Sequence, residues 1–173
     1  MERTDAATLV YVSYGWRDFG TGHLDEVCDE CGFDSRCAEF DVDLRTAIAA
    51  LCHLAGDSRA GSRPEPGTWS ADEYVAHCLD QVGEAISVID NGRPEPKAVV
   101  SGLEDADHQV KSLLSRVAGT DSHRQIDVGG PFPASPAWML AHLLHDLEHH
   151  VLDIRRGYAK LGLERVAGRT IER

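Results

Sequence analysis

Apolar residues recur every three or four positions in four separate segments of this chain, and this spacing constrains its fold more than any other feature. Such a period places the apolar side chains on one face of an α-helix, whereas a half-buried strand would alternate every two residues. The segments run from about Ala38 to Gly56, from Ser70 to Asn91, from about Val99 to Val117 and from Ser135 to about Leu161. Four amphipathic helices of comparable length predict a bundle around a shared apolar core.

Local signals at the helix ends agree with this division. Ser70 followed three residues later by Glu73 is a capping box, which favours a helix start at this point. Asn91-Gly92 is a typical stop, because glycine readily adopts the left-handed conformation that ends many helices. Ser135 and Pro136 indicate the start of the fourth helix, since proline is favoured at the first helical position.

Residues 1–37 differ from the rest of the chain. They contain an aromatic and β-branched run and then a stretch rich in glycine, aspartate and cysteine, with no helical period. We therefore predict an irregular, cysteine-containing arm at residues 1–37 that packs on a four-helix bundle at residues 38–173. With 173 residues, the chain is long enough to bury the core of one all-α domain.

Charge and hydropathy exclude several classes of partner. The formal net charge of −12 argues against a nucleic acid, whose phosphates attract basic surfaces. No segment approaches the roughly 18 uninterrupted apolar residues that a membrane span requires. The first residues lack the basic start and apolar run of a secretory signal. We expect a cytoplasmic protein that acts on a small molecule.

Histidines are concentrated in the fourth predicted helix. At about 100° per residue, Asp146 and His150 lie on the flank of the apolar stripe, stacked one turn apart. His145 and His149 form a second pair turned further toward the far side, with His142 nearby. Side chains four apart share a face and can bind one ion, so this helix offers two candidate ligand pairs.

The second predicted helix contributes a further imidazole. His77 lies on the same side as Tyr74, Cys78 and Gln81, among residues that face the core. A core-facing imidazole needs a partner, because leaving it unsatisfied costs about 1–3 kcal/mol. A metal shared with the fourth helix would supply that partner, although the alternative is an ordinary core histidine beside solvated helix-face histidines.

These residues carry a resemblance to a known family. The segment Trp69-Ser-Ala-Asp-Glu-Tyr-Val-Ala-His77, followed about seventy residues later by His145-Asp-Leu-Glu-His-His150, resembles the DinB/YfiT-like superfamily over roughly residues 38–161. The resemblance implies a four-helix bundle whose divalent metal is bound by a histidine of helix two and an (E/H/D)-x-x-x-H pair of the last helix.

Carried over to this chain, the metal ligands of the resembled family are His77, Asp146 and His150. His150 is followed by Val-Leu-Asp153-Ile154, which matches the polar and aliphatic positions typical of the family, whereas His149 as final ligand fits less well. The chain departs from the family in having a carboxylate at position 146, where histidine is commoner, although the isomerase branch uses a carboxylate there.

The family includes thiol-dependent S-transferases and mycothiol-dependent maleylpyruvate isomerases. The resemblance therefore implies a metal-dependent enzyme that transfers or isomerises through a metal-activated low-molecular-weight thiol. Zinc is the expected ion, with nickel, iron and manganese as alternatives. The excess of arginine over lysine is typical of GC-rich genomes and makes mycothiol the expected thiol. Loops 61–69 and 127–135 would shape the substrate pocket.

Two other functions remain open at this point. One is a non-catalytic, stress-associated bundle in which the metal only stabilises the fold. The other is an interaction module that forms a homodimer through the cysteine arm. An open coordination sphere would favour catalysis, whereas four protein ligands would favour a structural metal.

The cysteine arm contains a separate motif. Cys28-Asp-Glu-Cys31-Gly32 has the form of a zinc knuckle, in which two thiolates bind one ion. One such motif supplies two ligands, so two more must come from elsewhere. The local candidates are Cys37 and His23, and the alternative is the pair His145 and His149. Without further ligands, the motif would be a pair of loop thiols with no metal.

Overall fold

The protein is described by a computed structural model that covers residues 14–20, 24–94, 96–118, 122, 124–126 and 134–167. Its elements are strands β1 (Tyr14–Asp18) and β2 (Leu24–Cys28), a 3₁₀ turn (Ser35–Cys37), and helices α1 (Phe40–Ala55), α2 (Ala71–Asn91), α3 (Leu103–Ala118) and α4 (Pro136–Ala167). The prediction of four helices is confirmed.

Helix α4 packs against both α1 and α2. Helix α3 packs against the same two helices, so α3 and α4 lie at diagonal corners. All four helices contribute fully buried apolar side chains, and the largest are the leucines Leu44, Leu51, Leu113, Leu143, Leu144 and Leu147. Burial of each leucine stabilises the folded protein by about 1.5–3 kcal/mol relative to leaving the side chain exposed. The buried leucines of α4 and those of the helices packed against it hold α4 in one rotation about its axis.

The helix ends agree with the local signals on α2 and differ on α3. Ser70 accepts a hydrogen bond from the backbone N–H of Glu73, and the Glu73 side chain accepts one from Ser70. Gly92 ends α2 in the left-handed region, with φ of 70°. Helix α3 begins four residues later than predicted, because the preceding segment lies along α2, where the N–H of Ala98 donates to the carbonyl of Gly83 at 3.1 Å.

The N-terminal arm is a β-hairpin over much of its described length, so the prediction of an irregular arm is wrong. Strands β1 and β2 pair in antiparallel register, with Trp16 opposite Glu26. The hairpin packs on α4, where the Trp16 ring stacks on that of Trp138 with centroids 4.8 Å apart. Of the aromatic and β-branched run at residues 9–14, residues 9–13 lie outside the described residues and Tyr14 is the first residue of β1. Asp25 and Glu26 are both buried in β2, so this strand lacks the polar–apolar alternation by which a half-buried strand is recognised in a sequence.

Within the described part of the chain, no helix combines the length and the apolar character needed to cross a membrane.

The close approach of residues 96–98 to α2 requires a glycine at position 83. A Cβ atom placed on Gly83 would overlap the carbonyl oxygen of Ala98. We therefore expect Gly83→Ala to lower the free energy of unfolding by about 1–3 kcal/mol, measured by urea denaturation. Gly162→Ala is the matched control, since the space around this helical glycine of α4 is open and alanine is the better helix former. A Gly83→Ala protein as stable as the control would contradict this account of the α2–α3 connection.

Candidate metal centre

Helices α2 and α4 bring three of the predicted ligands together. Asp146 and His150 lie one turn apart on α4, and His77 faces them from the second turn of α2. The capping box at Ser70 sets the start of α2, and the leucines of α4 set its rotation. The start of α2 and the rotation of α4 therefore place His77, Asp146 and His150 in the same space between the two helices.

The three side chains meet around the Asp146 carboxylate. Its Oδ2 lies 3.4 Å from Nε2 of His77, and its Oδ1 lies 3.5 Å from Nε2 of His150. The two imidazole rings meet edge to face with centroids 5.0 Å apart. A charge-assisted hydrogen bond would be shorter, at about 2.7–2.9 Å, so these groups converge without binding one another tightly.

The arrangement fits a metal ion. A tetrahedral ion with bonds of about 2.0–2.1 Å holds nitrogen and oxygen ligands about 3.3–3.4 Å apart, close to the separations observed. Oδ2 of Asp146 is buried and accepts no hydrogen bond from the described residues, which is costly for a carboxylate oxygen unless a cation is bound. One ligand atom from each residue lies within 4.8 Å of the others. The cluster can therefore hold a divalent ion.

A fourth residue, Asp153, supports the cluster from behind. Nδ1 of His150 lies 3.1 Å from Oδ2 of Asp153, so the ring nitrogen opposite the cluster donates to a carboxylate. This contact fixes the tautomer that leaves Nε2 available and orients the ring, as is common for metal-bound histidines. In the sequence, Asp153 stood out only as the polar position that follows the last ligand in the resembled family. Its place three residues after His150, on the same helix face, was the signal for this role.

Two aromatic rings border the cluster on its outer side. The Trp69 ring lies 5.3 Å from that of His77, and the Tyr74 ring lies 5.0 Å from that of His150. Trp69 is 42% exposed, so it is a surface residue beside the site. His77 and Asp146 keep more than a quarter of their side-chain surface exposed. The cluster is thus accessible from solvent. Of the two predicted pocket loops, residues 61–69 supply Trp69, and residues 127–133 lie outside the described residues.

A second cluster lies on the opposite flank of α4. Cys28, Cys31, His145 and His149 each offer one ligand atom, and these atoms lie within 4.8 Å of one another. His145 was expected to turn toward the far side of the helix, and the β-hairpin covers that side, so the residue is buried. Two helix residues and two hairpin residues separated by more than a hundred positions meet here. This cluster, too, can hold a metal ion.

The alternative ligands for the cysteine motif are not part of the second cluster. Cys37 is exposed and lies outside it, and His23 lies outside the described residues. Of the two sets of partners that the sequence left open, the described structure therefore brings only His145 and His149 to the two thiols.

The second cluster is supported by Glu26, which the sequence analysis missed. Glu26 is fully buried, and its Oε1 accepts hydrogen bonds from Nδ1 of His145 at 2.9 Å and Nδ1 of His142 at 3.1 Å. Burial alone would raise the pKa of Glu26, but these two donors lower it to about 2. Glu26 therefore stays ionised inside the protein. Because Glu26 lies among other acidic residues of the arm, no sequence pattern indicated that its side chain is buried against histidines of α4.

The two thiols of the second cluster differ in acidity. Burial tends to raise the pKa of Cys28, but the backbone of Cys31 and the His145 side chain lower it below its usual range. Burial raises the pKa of Cys31, and the neighbouring Cys28 adds to this shift. Two thiolates side by side repel each other, so a cation between them would favour the deprotonated form of both.

In comparisons with known proteins, the chain matches no family model, no curated protein and no solved structure. The resemblance to the DinB-like superfamily therefore remains an expectation from the sequence motifs. The chemistry of the site rests on its own geometry.

Substitution of the ligands tests the open cluster. We expect His77→Ala and His150→Ala each to lower bound metal by one equivalent per chain, because two remaining ligands hold a divalent ion weakly. His53→Ala, an exposed histidine of α1, is the control and should leave the metal content unchanged. Metal is counted by plasma mass spectrometry after gel filtration. In a Cys28→Ser/Cys31→Ser background, which removes the second cluster, loss of the ion with His149→Ala and its retention with His150→Ala would show that the choice between the two helix pairs is wrong.

Asp153→Asn tests the support behind His150. An amide is a weaker acceptor than a carboxylate, so we expect the affinity of the open cluster for its metal to fall about 10–100-fold. The measurement is competition against a chromophoric chelator in a Cys28→Ser/Cys31→Ser background, which removes the second cluster. Asp90→Asn on α2 is the control, because Asp90 pairs with Arg116. Equal affinities for the two variants would assign Asp153 no part in metal binding.

Proposed function

We propose that this protein is a metal-dependent enzyme that transfers or isomerises a small molecule through a metal-activated low-molecular-weight thiol. The ion would be bound by His77, Asp146 and His150. The observation that carries the proposal is the openness of this site, which has three protein ligands and a side that is exposed to solvent. A metal bound by four protein ligands would have no position for a substrate.

The donor set suits this chemistry. Two imidazoles and one carboxylate are typical of zinc and other catalytic divalent ions, and they leave coordination positions open. A divalent ion held there lowers the pKa of a bound thiol or water and so supplies a nucleophile at neutral pH. The protein contributes the ligand geometry, which Asp153 stabilises through His150.

Residues around the open side can position a substrate. The exposed Trp69 ring offers an apolar surface beside His77. Burial raises the pKa of the Tyr74 hydroxyl, and the Asp153 carboxylate raises it further. Tyr74 therefore keeps its proton at neutral pH and can donate a hydrogen bond to a bound molecule. Together, Trp69 and Tyr74 give the site an apolar border with one hydrogen-bond donor, as in many small-molecule sites.

Two observations point to a thiol: the ligand motif resembles that of thiol-dependent enzymes, and the excess of arginine over lysine is typical of GC-rich genomes, for which mycothiol is the expected thiol. The chain itself has five free cysteines, which is typical of a reducing compartment such as the cytoplasm. Such a compartment also keeps a low-molecular-weight thiol in its reduced form.

A structural metal is the second candidate, and one observation favours it. The ligands come from two different helices, so an ion at this site would also cross-link α2 to α4. Cross-linking α2 to α4 requires no contact between the ion and an added thiol, whereas the proposed reaction requires the thiol to bind the ion.

Cobalt substitution distinguishes the two candidates. We load the Cys28→Ser/Cys31→Ser protein with cobalt, so that thiols of the second cluster do not contribute, and titrate it with mycothiol or a simpler thiol. We expect a saturable change in the visible spectrum, because a sulfur ligand that enters the open position creates a new charge-transfer band. The same protein with His150→Ala is the control and should not show this change. A spectrum that thiol leaves unaltered would favour the structural metal.

A further inference from the structure

The cluster between the hairpin and α4 differs from the open site in its donor atoms, which include two cysteine sulfurs. We propose that a structural zinc ion fastens the N-terminal hairpin to α4 through two thiolates and two imidazoles. The four ligands are Cys28, Cys31, His145 and His149. This inference is independent of the enzymatic proposal, which concerns other residues.

The donor set identifies both the ion and its role. Thiolates and imidazoles select zinc over magnesium, calcium and manganese, which prefer oxygen ligands. Two thiolates neutralise the charge of a divalent ion, so the complex can be buried at low cost. Four protein ligands also complete a tetrahedron, which leaves no position for water. Cys28 and His145 are buried, in agreement with a closed site.

The local backbone shapes the cysteine turn for such an ion. Cys28 is the last residue of β2, and its N–H donates to the carbonyl of Phe33 at 2.9 Å while its own carbonyl accepts from the N–H of Gly32 at 2.9 Å. Gly32 has a φ of 82°, which other residues rarely adopt. This tight turn brings Cys31 back beside Cys28, so both thiols face α4.

The distance across the cluster agrees with zinc coordination. Sγ of Cys28 lies 3.7 Å from Nδ1 of His149. With Zn–S bonds of about 2.3 Å and Zn–N bonds of about 2.0–2.1 Å, a tetrahedral ion places such atoms about 3.5–3.6 Å apart. The thiol and the imidazole are therefore already near the separation that a shared ion requires.

Glu26 acts as a positioning residue for the proposed site. Its carboxylate accepts the Nδ1 proton of His145 at 2.9 Å, which assigns Nε2 of the same ring to the ion. Carboxylate–histidine–zinc arrangements of this kind orient the ring and raise its basicity. The hairpin thus supplies two ligands and the group that orients a third. This explains why a carboxylate that is fully buried occupies the inner face of β2.

The consequence of the site is attachment of the hairpin. A two-stranded hairpin is at best marginally stable by itself in water. An ion that links residue 28 to residue 149 closes a long loop and restricts the unfolded chain in the way that a disulfide does. Trp16 and Trp138 lie across the same interface and stack at 4.8 Å, so their near-ultraviolet circular dichroism reports whether the hairpin is docked.

Zinc stoichiometry of the full chain tests the proposal. The protein and its variants are loaded with zinc and dialysed, and bound zinc is counted per chain. In a His77→Ala background, where the open site is disabled, we expect one equivalent. Adding Cys28→Ser/Cys31→Ser should remove it and diminish the tryptophan signal. Adding Cys37→Ser/Cys52→Ser, which changes two exposed thiols, should do neither. An equivalent that survives loss of Cys28 and Cys31, or the absence of any equivalent in the His77→Ala protein, would overturn the proposal.

X-ray absorption on the zinc-loaded His77→Ala protein covers the case in which the cysteine variant does not fold. We expect two sulfur and two nitrogen ligands, at about 2.3 Å and 2.0–2.1 Å, and a shell without sulfur would overturn the proposal. The outcomes also separate the two proposals. Wild-type protein that binds one equivalent, lost with Cys28 and Cys31 but kept with His77→Ala, would support the hairpin site and contradict the open one.

Discussion

The leucine stripe of α4 sets the rotation of this helix in the bundle, and both candidate metal sites depend on that rotation. Leu143, Leu144 and Leu147 are almost completely buried against α1 and α2. With these side chains held inside, the helical period directs Asp146 and His150 toward α2, and directs the neighbouring histidines toward the hairpin. A rotation of one residue, about 100°, would separate the ligands of both clusters. The buried leucines therefore set the positions of the candidate metal ligands, although they are not ligands themselves.

A buried charge links the hairpin to this helix. Glu26 is fully buried and has two histidines of α4 as its donors. Removing an ionised carboxylate from water is costly unless its partners replace the lost hydration. Glu26 therefore makes docking of the hairpin specific, because any other placement of β2 would leave the carboxylate without those donors. The stacked tryptophans at the same interface add apolar contact. Glu26 thus makes the docking of the hairpin specific, and Trp16 and Trp138 add affinity through apolar contact.

The two clusters are built on adjacent residues of one helix and are suited to different tasks. The pair at Asp146 and His150 faces solvent beside Trp69, and three ligands leave room for a substrate. In the cysteine–histidine cluster, Cys28 and His145 are buried beneath the hairpin, and four ligands would complete the coordination of an ion. Asp153 lies between them, 3.1 Å from Nδ1 of His150 and 3.9 Å from Nε2 of His149.

By itself, the sequence determined the helices, the caps and the pairing of ligands four residues apart on α4, because these features depend on contacts within a few positions of the chain. The helical phase also placed His77 on the face that meets α4. Only the tertiary structure decided that the arm is a hairpin, that Glu26 is buried against two histidines, and that Trp69 borders the open cluster. The contacts of Glu26 join residues more than a hundred positions apart, and all three features follow from how the strands pair and the helices pack. No local period or spacing encodes such packing, so it could not be predicted from the pattern of residues alone.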